Sequence, residues 1–109
     1  MVESYRFEAT LWVAQGNGAW HFVSLPDHEA DEILARAGSP GRGFGSVRVS
    51  VTIGGSSWDT SVFPDSKRGT YVLPIKKAVR MAERLTEGDV VTVGLEVADG
   101  QPAPGSGSG

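Results

Sequence analysis

A chain of 109 residues has room for one domain, and its formal net charge of −3, with both signs interspersed, leaves no whole-chain footprint for DNA, RNA or anionic lipid. The absence of cysteine removes disulfides, thiolate zinc sites and cysteine nucleophiles. Met1 to Phe7, charged at Glu3 and Arg6, lacks the apolar run of a signal peptide and no later stretch suits a spanning helix, so a soluble, cytoplasmic protein without membrane contact is expected.

The first segment alternates: Tyr5, Phe7, Ala9, Leu11 and Val13 share one face and Arg6, Glu8, Thr10 and Trp12 the other, which predicts a half-buried strand. Gln15-Gly16-Asn17-Gly18 tolerates positive φ and predicts a hairpin, with Trp20 to Ser24 as the return strand. Pro26 suits a first helical turn, and Asp27, Glu29, Asp31 and Glu32 favour the positive end of a helix dipole. Ala30, Ile33, Leu34 and Ala37 then repeat at helical spacing, and Gly38 can end the helix. A glycine-rich loop, Gly38 to Gly45, carries Pro40 and Arg42.

Val47, Val49, Val51 and Ile53 alternate with polar residues as a second clean strand, Gly54-Gly55 signals a hairpin, and Trp58 to Phe63 pairs back. Pro64 to Gly69 reads as a polar loop and Thr70 to Leu73 as a short strand. Ile75, Ala78, Val79, Ala82 and Leu85 mark a second amphipathic helix. Thr86-Glu87-Gly88-Asp89 turns the chain, with positive φ expected at Gly88, into a last strand that places Val91, Val93, Leu95 and Val97 on one face. A single domain over residues 1–98 is followed by a Gly/Pro/Ser-rich tail, residues 99–109, whose composition predicts disorder. Six one-sided strands and two short helices predict a mainly β fold, a small closed or partly closed β-barrel plugged by helices.

Three stretches in this order carry a resemblance. They are Gly16-Asn17-Gly18-Ala19-Trp20-His21-Phe22-Val23-Ser24-Leu25-Pro26; Gly43 to Phe63, with Ile53-Gly54-Gly55 and Trp58-Asp59-Thr60-Ser61; and Tyr71-Val72-Leu73-Pro74-Ile75-Lys76-Lys77-Ala78-Val79-Arg80 followed by Gly88-Asp89-Val90-Val91. Over Tyr5 to Val97 the chain resembles the bacterial and archaeal domain of unknown function 1905. That resemblance implies a small β-barrel and no established chemistry; some relatives add a second domain of bacteriocin-protection type. Over about 25 residues the third stretch is also similar to the swapped-hairpin DNA-binding domains of AbrB type, although helix–Gly-Asp–strand turns recur across barrels.

The chain lacks a Gly-x-Ser-x-Gly elbow, and its two histidines are His21 and His28. His21, between Trp20 and Phe22, reads as a surface or hydrogen-bonded side chain rather than a base. His28, Asp31 and Glu32 share a helix face, but acidic groups at a helix start account for that spacing, and no metal or cofactor is expected. Arg42 between Gly41 and Gly43 admits an anion-cradle reading beside that of a plain connector. Lys76, Arg80 and Arg84 recur every four residues, with Lys77 close by, as a basic stripe. Of Trp12, Trp20 and Trp58, Trp12 is out of phase with its strand's apolar face.

The expected function is a non-catalytic binding or interaction module for a small or anionic ligand or a protein partner, acting as a monomer or homodimer. The residues chosen for its site are Trp12 and Trp58 near a mouth edged by Arg42, Lys76 and Arg80. An AbrB-like DNA-binding dimer, disfavoured by the acidic charge, and a small enzyme with an unrecognised barrel site are the alternatives.

Overall fold

A computed structural model describes residues 3–14, 20–37 and 45–97. The first alternating segment divides in two. Glu3–Thr10 (β1) pairs antiparallel with the last strand, Val90–Val97 (β7), whereas Trp12–Val13 (β2) pairs with His21–Ser24 (β3). Leu11 is the break: its N–H donates to the Asp89 carbonyl oxygen and its own carbonyl oxygen accepts the Gly88 N–H, both at 2.9 Å. With its two backbone groups taken by the turn before β7, Leu11 leaves the ladder and buries its side chain in the core.

The loop predicted at residues 15–18 lies outside the described residues. The Trp12↔Phe22 and Val13↔His21 pairs and the Ala14 N–H to Trp20 carbonyl bond at 2.8 Å nonetheless establish the chain reversal. Helix α1, Asp27–Ala37, begins after Pro26, whose carbonyl accepts the Ala30 N–H, and its buried Ala30 and Ile33 join the core. Val47–Ile53 (β4) buries every second residue, as its alternation predicts. Ser56–Asp65 (β5) and Thr70–Pro74 (β6) run longer than the sequence pattern implied. Their ladder extends through the Pro64↔Tyr71 and Asp65↔Thr70 pairs, and the Asp65 carboxylate caps the turn by accepting the N–H groups of Lys67 and Arg68.

Helix α2 is shorter than its apolar pattern, Lys77–Glu83. Arg84 ends it in the left-handed region (φ 57°, ψ 50°), where its N–H reaches the Met81 carbonyl and the Leu85 N–H reaches that of Arg80, a complete Schellman closure with arginine in glycine's usual place.

The sheet order is β1-β7-β4-β5-β6-β3-β2, with every pairing antiparallel. The described residues therefore form seven strands, not six. The sheet curves into an open half-barrel rather than a closed barrel, because its two end strands, β1 and β2, follow each other in the chain without a ladder between them. Alternate residues of β4 and β7, with Phe7, Leu11, Val23, Val62 and Leu73, fill the core, and Ile33 and Val79 bring the two helices onto it. Among the described residues no helix is long and apolar enough to cross a membrane.

Candidate functional site

The register of β6 creates a cleft. β6 lies between β3 and β5, but its last pair with β3 is Phe22↔Pro74, while β5 extends back to Ser56. Among the described residues the β5–β6 ladder ends at the Phe63↔Val72 pair, since Pro74 offers no N–H to continue it and the chain departs into α2. The resulting gap is a cleft of about 450 Å3, within the usual size range of small-molecule sites. Trp20 and His21 line it from the start of β3, Trp58, Asp59 and Thr60 from β5, and Pro74 to Lys77 with Arg80 from the entry into α2.

Three cations, Lys76, Lys77 and Arg80, line this space together with Asp59. Arg80 is the most constrained: its Nε donates to the Ile75 carbonyl oxygen at 3.1 Å, and its Nη1 lies 3.4 Å from His21 Nε2. The Ile75 N–H is itself bound to the His21 carbonyl at 2.9 Å, so backbone and side chain together fix the guanidinium. Two of its five N–H donors are thereby engaged among the described residues. Lys76, extended at the N-cap of α2, carries its Nζ 6.0 Å from the centre of the Trp58 ring, a cation–π approach that leaves the ammonium hydrated. Asp59 accepts the Ser50 hydroxyl at 2.8 Å from the neighbouring strand. Among the described residues, none of Lys76, Lys77 and Arg80 forms an ion pair with a carboxylate.

Of the residues chosen from sequence, Trp58, Lys76 and Arg80 come together here. Trp12 does not line the cleft. It packs at a tilt against Phe22 (ring centres 5.1 Å apart), lies under the Arg68 guanidinium at 3.6 Å, and donates from Nε1 to Ser24 Oγ at 3.0 Å. Arg42 lies outside the described residues. Arg84, third in the basic stripe, is not among the cleft's lining residues, because the helix ends at Glu83 before another turn could carry it there. His28 pairs with Glu32 at 3.1 Å on an exposed face of α1, and among the described residues no three His, Cys, Asp or Glu side chains group as metal ligands.

Trp20, His21, Asp59, Thr60 and Lys77 also line the cleft, although the sequence pattern did not single them out for it. Period-two alternation put Trp20 and His21 on opposite faces, yet both reach it, because Trp20 precedes the first laddered residue of β3. The available signal was Pro74: a proline ending an inner strand, followed closely by two lysines, marks where a sheet opens next to positive charge.

The family described as Domain of unknown function (DUF1905) matches residues 7–95, and the chain belongs to it. No curated protein matches the chain.

Proposed function

We propose, from the premise that the chain is a DUF1905-family domain, that it is a non-catalytic binding module whose cleft between β3 and β5 takes a small anionic ligand. The observation that carries this reading is the gathering of Lys76, Lys77 and Arg80 around one cleft, in a protein whose net charge is −3. None of the three is ion-paired among the described residues. Cations left together without carboxylates repel one another, and an anion relieves that repulsion. A concave, partly apolar wall strengthens each charge–charge contact relative to open water. Arg80 is already held in place, so little rotamer entropy is lost when it grips a ligand.

Calorimetric titration with inorganic pyrophosphate tests the proposal. Binding that weakens with salt, and that falls in Lys76→Gln and Arg80→Gln but persists in Lys67→Gln on the β5–β6 turn, supports it. No binding at millimolar pyrophosphate, or equal binding by all three variants, refutes it. Generic duplex DNA should not be retarded at physiological salt; tight retardation would favour the AbrB-like alternative instead.

A further inference from the structure

We infer that the ligand is an aromatic anion of nucleotide form, its ring stacked on Trp20 and its phosphate held by Lys76, Lys77 and Arg80; this rests on the anion-binding reading above.

Trp20 is 61% exposed although a packed tryptophan is among the largest apolar contributions a small domain can bury. The ring is held in place all the same. It stacks on Phe22 with centres 6.2 Å apart and planes 16° from parallel, and Phe22 leans on Trp12, which is fixed by Arg68 and by Ser24. The Trp20 carbonyl is anchored by the Ala14 N–H at 2.8 Å. Trp20 is thus the exposed end of an ordered aromatic row, and it ends at the cleft that holds the cations. A flat ring already fixed in its binding orientation loses little entropy on stacking.

The charge pattern selects the other half of the ligand. A phosphate monoester presents three oxygens and close to two negative charges, which suits a guanidinium fork flanked by two ammonium groups better than a lone carboxylate does. The row also argues against an extended strand of nucleic acid. Arg68 covers Trp12 and Phe22 lies between two indoles, so successive bases would find one open ring rather than a platform.

The test compares AMP, ribose 5-phosphate, inorganic phosphate and adenosine as probes of the full chain, of Trp20→Ala and of Trp20→Phe. AMP should bind about tenfold or more tighter than ribose 5-phosphate, the scale of one base–aromatic stack. Trp20→Ala should erase that ratio, and Trp20→Phe should keep most of it. If AMP and ribose 5-phosphate bind equally to the unaltered chain, the ring inference fails and the anion reading stands. If no phosphate-bearing probe binds, both fail. An oligothymidylate that binds more tightly than AMP with a steep salt dependence also overturns the inference. The comparison of probes on the unaltered chain decides the matter even if Trp20→Ala melts early.

Discussion

Gly88 donates its N–H to the Leu11 carbonyl oxygen at 2.9 Å, tying the turn before β7 to the residue that splits the first strand. Gly88 sits at φ 95°, in the region that side chains avoid, and a Cβ placed there would meet nothing within 4 Å. Any penalty for a side chain at this position is therefore conformational rather than steric crowding by neighbours. Gly88→Val should destabilise the domain by more than about 1 kcal/mol. Asp89→Asn should cost less, because the Asp89 carboxylate accepts the Thr86 N–H at 2.8 Å and an amide oxygen can replace it. Urea denaturation of both variants checks the order; an unchanged midpoint for Gly88→Val would contradict the turn geometry.

The β4–β5 hairpin is clamped to α2 through Glu83, which accepts the Ser56 hydroxyl at 2.6 Å. Gly54, the first of the two hairpin-loop residues, has φ 59°, and a Cβ there would run into the Glu83 carboxylate. Gly54→Ala should cost about 1–2 kcal/mol, part from the left-handed backbone and part from the displaced Glu83. Ser56→Ala alone should cost about 1 kcal/mol. The double variant should cost less than the sum, since the substitution at Gly54 has already broken the Ser56 bond. Full additivity in denaturant melts would show that Glu83 keeps its grip.

At Arg84 the backbone is left-handed and the residue is not glycine. Arg84→Gly removes the Cβ conflict while keeping the Schellman bonds, so it should stabilise the domain by about 0.5–1 kcal/mol. A lower melting temperature would mean that the arginine side chain contributes more than its backbone costs.

Tyr71 is buried on β6, and burial pushes its phenol above the ordinary 10.0. The unfolded chain thus releases this proton first, and the stability tied to it is complete below pH 10.0 and is lost as pH rises through the folded value. Urea midpoints followed from about pH 8 to about pH 11 should fall more steeply for the parent than for Tyr71→Phe. Parallel curves would contradict the assignment.

The strand faces of β4 and β7, the positive φ at Gly88 and the two helices were legible because local periodicity and turn chemistry determine them. The split at Leu11 was not: its cause is a pair of hydrogen bonds to Gly88 and Asp89, far along the chain, and the alternation runs through it unchanged. Arg84 was equally hidden, since helical spacing continues to Leu85 while the backbone stops at Glu83. Within the candidate site, Lys76, Arg80 and Trp58 were legible by residue type and spacing. Trp20 and His21 were not, because the cleft arises from unequal lengths of β5 and β6, a tertiary fact. Trp12 stood out for being out of phase, and it is packed between Phe22 and Arg68 instead.

An anion bound in the cleft between β3 and β5 should leave a local signature on the residues that line it. Amide and indole chemical-shift mapping during titration with pyrophosphate tests this most directly. Perturbations should gather at Trp20, His21, Trp58 and Lys76 to Arg80, with the Trp12 indole N–H, bonded to Ser24, left unmoved. Saturable shifts centred elsewhere on the domain, or none at millimolar ligand, would contradict it.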